Sequence, residues 1–272
     1  MHELDTGTED LLATVDDGVA VLTMHRPTRR NALSEAMLTA MGRVLADVEV
    51  DDDVGCVVLT GAGDAFCAGG DVKAMAEGDA TGGARSLDAV VHHQRLSQRA
   101  TSGRLWAMPK PTIAAIPGPA AGAGLALALA CDLRYAVDGA VLTTAFARVG
   151  FAGDYGGAWF LTRLVGTGRA KELYYFSERL QAAEAERLGI VNAVFPASTF
   201  EGEVLERARR LAAGPRIALR YMKENLNRAV NGTLDEFMDV EVTHHIHTGL
   251  TSDHREAAQA FVEERPPRFT GS

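Results

Sequence analysis

The chain has 272 residues, with 27 Lys and Arg against 36 Asp and Glu, a formal net charge of −9 at pH 7. Hydrophobic residues make up 47% and charged residues 23%, which excludes a disordered or fibrous chain; the negative balance argues against a protein built around nucleic-acid phosphates. A chain of this length forms one large domain or two small ones and needs no disulfide or metal to hold its core.

Taken in order, the alternation of apolar and polar residues predicts short strands at 11–15 and 19–24. Ser34 then reads as an N-cap, and Leu33, Met37, Met41, Val44, Leu45 and Val48 recur at spacings of three and four, the apolar face of a helix. A strand at 56–60, a helix at 85–106, a strand at 112–116 and a small-residue helix from about Gly122 follow. Two strand signals, 133–135 and 141–144, precede a helix beginning near Gly156. Strands alternating with helices predict a layered α/β fold with a parallel core. From about Thr167 the pattern becomes helix after helix, at 169–176, 183–188, 199–213, 216–230, 234–248 and 253–264, with little strand signal. This all-α tail is expected to pack on the core or on a neighbouring subunit.

The stretch 77–85, EGDATGGAR, reads as a mobile Gly-rich loop. Cys56, Cys67 and Cys131 are odd in number and sit in apolar or small-residue runs, as reduced core thiols do. The longest apolar stretch, 120–131, is about half of the roughly 20 residues a membrane span needs, and the first ten residues carry no leader pattern. A cytoplasmic protein with no membrane or nucleic-acid partner is expected.

Two segments that follow strands suggest chemistry: Phe66-Cys67-Ala68-Gly69-Gly70-Asp71 and Gly118-Pro119-Ala120-Ala121-Gly122-Ala123-Gly124. Small residues between a strand and a helix expose backbone N–H groups with the helix dipole behind them, and two such turns converging on one oxygen make an oxyanion hole. The same residues also simply permit close strand–helix packing. A dinucleotide loop fits poorly, because Leu127 stands where a third glycine belongs and no acidic residue ends a strand about 20 residues later.

The motifs, in order and spacing, resemble the crotonase (enoyl-CoA hydratase/isomerase) superfamily over almost the whole chain. They are Arg26-Pro27 with Asn31-Ala32-Leu33, Val57 to Gly61, Phe66 to Val72, Lys110 to Ile116, Gly122 to Gly124 with Ala130-Cys131-Asp132, Gly150 with Gly156-Gly157, Leu161 to Gly166, and Phe261-Val262-Glu263. The resemblance implies a spiral of ββα repeats over residues 1–200 and a C-terminal helical trimerisation region over 201–272, assembled as a homotrimer or as a hexamer built from two trimers. It implies an acyl-CoA thioester substrate, no cofactor beyond the CoA moiety and no metal. The backbone N–H groups of Ala68 and Ala123 would hold the thioester oxygen. Ala68, Gly69, Gly70, Asp71, Val72 and Gly122 would border the substrate, and Arg26, Arg29 and Arg30 would approach the CoA phosphates, unless they are only a solvated basic turn.

Hydratases of this family carry two glutamates, and the matching positions here are Ala126 and Phe146. Asp154, in Gly153-Asp154-Tyr155-Gly156-Gly157, is the replacement candidate, a carboxylate whose position resembles the arrangement in the ring-isomerase and aryl-CoA dehalogenase branches and which would act as a general base; the alternative is an N-cap of the next helix. Phe146, Tyr155 and Trp159 would wall the acyl pocket or pack in the core. His92, His93, His244, His245 and His247 read as solvated or interface residues. Glu264, where relatives often have Lys, weakens an expected phosphate contact. The reading that follows is a double-bond isomerase that stabilises a thioester enolate; the alternatives are water addition to a 2-enoyl-CoA, or a non-catalytic acyl-CoA binder.

Overall fold

A computed structural model describes residues 1–71 and 86–272; Val72 and the 77–85 stretch lie outside the described residues. The chain opens with β1 (His2–Leu4), β2 (Leu11–Asp16) and β3 (Val19–Met24). Asp17 and Gly18 join β2 to β3 with φ of 47° and 74°, the pair of positive angles that an Asp-Gly hairpin turn supplies. Ser34 accepts from the Met37 N–H at 3.1 Å and so caps α1 (Glu35–Val50). Its buried face is Met37, Ala40, Met41, Val44, Leu45 and Val48, the stripe the spacing predicts.

Further along come β4 (Cys56–Gly61), α2 (Leu87–Gln98), β5 (Thr112–Ile116), β6 (Ala120–Ala121), α3 (Ala123–Ala130), β7 (Leu133–Val137) and β8 (Val141–Thr143). They are followed by α4 (Gly157–Phe176), β9 (Leu180–Gln181), α5 (Ala182–Arg187), β10 (Ala193–Phe195) and α6 (Phe200–Ala212). Three further helices, α7 (Arg216–Ala229), α8 (Leu234–Gly249) and α9 (Ser252–Val262), complete the chain. β3, β4, β5, β7 and β10 pair in parallel, and the antiparallel β1 and β2 extend the edge at β3.

A second, smaller layer holds β6, β8 and β9, together with single bridges between Leu33 and Gly70 and between Cys67 and Ala120. The repeating unit is therefore a strand in the large sheet, a short segment in the small layer, and a helix: the ββα spiral. All eight residues of α3 are buried, as a helix that is apolar all round must be. Cys56, Cys67 and Cys131 are free and buried, and burial pushes each thiol up to about 12.

The tail departs from the expected pattern by carrying two short strands, β9 and β10. β10 supplies a strand where little strand signal stands in the sequence, because three residues are too few to show a period of two; pairing with β7 makes it a strand. α6 buries Phe200, Val204, Ala208 and Ala212 against the sheet. It closes so tightly on the start of β4 that a Cβ at Gly55 would lie 2.6 Å from the Ala212 carbonyl oxygen. From α7, Lys223 reaches inward to pair with Asp132 at 2.8 Å and donates to the carbonyls of Leu105 and Lys110. This buried ammonium fastens the tail to the turn that follows α3.

Candidate active site

The two small-residue turns meet in the small layer. The Ala121 N–H donates to the Cys67 carbonyl at 2.9 Å, so the segment after β4 and the segment after β5 run side by side. Gly69 holds φ of 88°, and a Cβ there would lie 2.8 Å from the Ala121 carbonyl oxygen and 3.4 Å from the Ala123 nitrogen. Only glycine lets the turns approach this closely. Gly122, at φ 51° and ψ −125°, turns the chain from β6 into α3. Its own N–H is spent on the Thr143 carbonyl, and Ala123 begins the helix with its N–H unpaired among the described residues.

The donor in the first turn differs from the one the resemblance implies. The Ala68 N–H donates to the Arg30 carbonyl at 2.9 Å, facing the 26–33 turn and away from Ala123. The Gly69 N–H faces the Cys67 sulfur at 3.4 Å. Gly70 is the next residue, held by its bridge to Leu33, and its N–H has no acceptor among the described residues. Gly70 therefore replaces Ala68 as the partner of Ala123 in a candidate oxyanion hole.

Asp154 lies in a loop where Gly153, Tyr155 and Gly156 all have positive φ, at 118°, 48° and 75°. Non-glycine residues in that region are uncommon and gather at functional sites. Tyr155 is buried, and its hydroxyl lies 3.3 Å from the Ser97 hydroxyl of α2. The Asp154 Oδ1 is buried with no hydrogen-bond partner among the described residues, and burial raises its carboxyl to about 6. The capping alternative fails on geometry: the N-cap of α4 is Gly156, the helix has no side-chain cap bond, and Asp154 contributes only its backbone carbonyl, to the Gly157 N–H at 3.0 Å.

The two positions that carry glutamates in hydratases are apolar and closely packed. The Ala126 methyl lies 3.0 Å from where a Cβ on Gly157 would be. The Phe146 ring is buried, 3.8 Å from the Cβ position of Gly122, and stacks on Tyr174 with centroids 5.7 Å apart and planes 17° from parallel. Tyr174 was not among the residues singled out in the sequence. It comes from the far end of α4, after a break at Gly166 (φ 74°, ψ 163°), and no local spacing marks it. Trp159 sits apart from this group, against Trp106 and Phe160, with the Arg163 guanidinium 3.5 Å above its ring.

Of the three arginines, Arg26 is committed. It donates to the Ala32 carbonyl at 2.6 Å and to Asp71 at 3.3 Å, with Asp10 at 3.7 Å, bracing the turn that carries Gly69 and Gly70. Arg29 is half-exposed and pairs with Asp71 at 3.0 Å. Arg30, at φ 48°, is exposed, and its side chain has no partner among the described residues. A cleft of about 1430 Å³ opens elsewhere, between α7, α8 and the core, lined by Lys110, Arg216, Lys223, Glu224 and Phe237; neither turn nor the Asp154 loop lines it. Among the described residues, no group of three or more His, Cys, Asp or Glu side chains is arranged to hold a metal ion, and no helix is long and apolar enough to cross a membrane.

The enoyl-CoA hydratase/isomerase family model matches residues 14–272. The chain is 37% identical to the 1,2-epoxyphenylacetyl-CoA isomerase of Escherichia coli (strain K12) over 263 residues, covering 97% of this chain and 99% of that one. It is also 37% identical to the 4-chlorobenzoyl coenzyme A dehalogenase-2 of Arthrobacter over 226 residues, 83% of this chain and 80% of that one. The crystal structure of an enoyl-CoA hydratase from Bacillus anthracis has the same fold, with a TM-score of 0.89 at 32% identity, covering 97% of this chain and 100% of that chain.

Proposed function

This chain belongs to the enoyl-CoA hydratase/isomerase family, and from that premise we propose that it shifts a double bond along the acyl chain of a CoA thioester, with Asp154 carrying the proton. The thioester oxygen sits between the N–H groups of Gly70 and Ala123. Asp154, as carboxylate, takes a proton from the carbon next to the thioester; the C–H electron pair moves onto the thioester oxygen, and the enolate is held by the two N–H groups. The protonated Asp154 then gives the proton back at the γ-carbon, so one group serves both steps.

The observation that carries this reading is the buried, unbonded Oδ1 of Asp154, with its carboxyl raised to about 6 by burial. A base so placed is ionised at neutral pH yet basic enough to accept a carbon-bound proton. Addition of water in the hydratase manner would need a second carboxylate to hold and activate it, and the Ala126 methyl and Phe146 ring stand in those two positions. Arg29 and Arg30 are the arginines with exposed guanidinium groups for the CoA phosphates, while Arg26 acts through the turn it braces. Three buried free thiols suit a reducing compartment such as the cytoplasm.

The test is a mass-spectrometric assay in D₂O with a 3-enoyl-CoA and crotonyl-CoA. The 3-enoyl-CoA is expected to isomerise to the 2-enoyl-CoA, with deuterium entering only to the extent that the proton on Asp154 exchanges with solvent between the two steps, while crotonyl-CoA gains no water. A product heavier by one water would overturn the reading in favour of a hydratase, and no change in either thioester would favour a binder.

We also propose a homotrimer, or a hexamer of two trimers. Leu234, Met238, Val242 and Ile246 of α8 and Leu250 at its C-cap recur at every fourth position and are 46% to 71% exposed in the single chain, and Phe261 and Val262 of α9 are 85% and 81% exposed. A stripe this apolar marks an interface. Light scattering on the purified protein is expected to give three or six chains; a monomer would refute it.

A further inference from the structure

Tyr155 follows Asp154 in the chain and sits where a tyrosine is least at ease. Its φ is 48°, in the left-handed region that costs free energy for a residue with a Cβ and persists only where the surroundings fix it. Glycine would adopt this backbone without strain, so other interactions keep a tyrosine here. The residue is 2% exposed. Its hydroxyl lies 3.3 Å from the Ser97 hydroxyl and hydrogen-bonds the Gln94 side chain as well.

Both partners belong to one face of α2. Val90, Gln94, Ser97 and Gln98 are its half-buried residues, while Leu87, Val91 and Leu96 are exposed and none of its residues is fully buried. A helix that docks by burying apolar side chains shows the reverse pattern. α2 instead turns a mostly polar stripe to the body of the protein, and Tyr155 carries the oxygen that meets it. A buried phenol needs such partners; a phenylalanine would fill the same space without the link.

Asp154 has the opposite need. Its Oδ1 is buried with no hydrogen-bond partner among the described residues. Burial is what raises its carboxyl, and the titratable groups that feel its charge are the phenols of Tyr155 and Tyr174. A carboxylate so placed gains by turning towards water, so it stays inward only if its backbone is held.

We infer that Tyr155 is a positioning residue for Asp154: its hydroxyl, anchored on Ser97 and Gln94 of α2, locks the 153–156 loop in the backbone that keeps the carboxylate turned inward. Its part in the reaction is exerted through Asp154. The inference rests on the reading of Asp154 as the group that carries the proton, while the anchoring itself does not depend on which thioester is bound.

Tyr155→Phe keeps the ring and removes the oxygen; Ser97→Ala removes its partner and favours the helix, so both variants should stay folded. On a 3-enoyl-CoA, each is expected to lower kcat about tenfold, the equivalent of one hydrogen bond, with KM within about twofold. The Asp154 carboxyl is followed separately by NMR, on protein labelled with carbon-13 at the aspartate side-chain carboxyls, its signal identified by its loss in Asp154→Asn. Its midpoint, about 6 in the wild type, is expected to move down towards the ordinary 3.8 in both variants, as the carboxylate reaches water. Tyr155→Phe with Ser97→Ala should be no slower than Tyr155→Phe by more than about twofold, because the two hydroxyls share one bond. A midpoint that stays at its wild-type value in both variants, a raised KM with kcat unchanged, or losses that multiply in the double variant would overturn the inference. A wild type without turnover whose Asp154 midpoint still falls in the variants would remove the isomerase reading and leave the positioning intact.

Discussion

Asp154→Asn is expected to lose turnover by about 10³-fold, within the range attributed to a positioned general acid or base, while thioester affinity stays within about twofold. The substitution keeps the shape of the side chain and removes only its ability to take a proton. In the wild type, kcat should rise with pH through about 6, where the buried carboxyl ionises, and level off above it. The variant should also be more stable than the wild type at neutral pH, and the sign follows from linkage. The folded-state carboxyl titrates near 6 and its ordinary value is 3.8, so between those values the folded protein binds more protons than the unfolded chain. Asp154 therefore favours folding most below about pH 4, and that contribution is lost as pH rises through about 6. A shift of that size corresponds to about 3 kcal/mol; because the residue is only half-buried, about 1 to 2 kcal/mol is a better expectation. Urea unfolding at pH 7.5 and pH 4 checks it, with Asp154→Asn more stable at the higher pH and the gap closing at the lower. Activity within a few fold of wild type would remove Asp154 from the chemistry. An asparagine that unfolds the protein more readily at pH 7.5 would mean that the carboxylate has a partner stabilising its charge.

What the sequence conveyed about this site and what it withheld divide along a physical line. Ser34 and the apolar face of α1, the strands at 11–15 and 19–24 and the small-residue helix from about Gly122 were readable because each depends on residues a few positions apart. The two glycine-rich turns were readable as a pair for the same reason. Which N–H of the first turn faces inward was not readable. That is decided by the bridge of Gly70 to Leu33 and the bond from Ala68 to Arg30, contacts between segments more than thirty residues apart. The reach of Arg26 to Asp71 was hidden likewise. Tyr174 was the hardest to anticipate. The chain breaks at Gly166, which lets the second half of α4 return over Gly153 and Gly157, and nothing near Tyr174 in sequence signals the stacking on Phe146. The missing glutamates, visible at once as Ala126 and Phe146, gave no hint that a tyrosine ring stacks on Phe146.

Ala123→Pro isolates the oxyanion hole from everything else in the site. Ala123 is the first residue of α3, the helical position where proline is well tolerated, because the N–H there has no partner within the helix and proline's fixed φ suits the start of a helix. The helix keeps every backbone bond it makes, and the sole group deleted is the N–H aimed at the thioester oxygen. Removing one such donor is worth about 10² to 10³ in kcat, so a loss of that size is expected with a melting temperature within a few degrees of wild type. Ala123→Gly retains the N–H and should retain most of the activity, which separates the loss of the donor from a disturbed turn. The same argument predicts how the defects combine. In the proposed mechanism the hole stabilises the enolate that Asp154 creates, so the two act on one step, and Ala123→Pro with Asp154→Asn should be little slower than the slower single variant. A folded Ala123→Pro protein with activity within about tenfold of wild type would mean that the thioester oxygen lies elsewhere, and the pairing of Gly70 with Ala123 would fall with it.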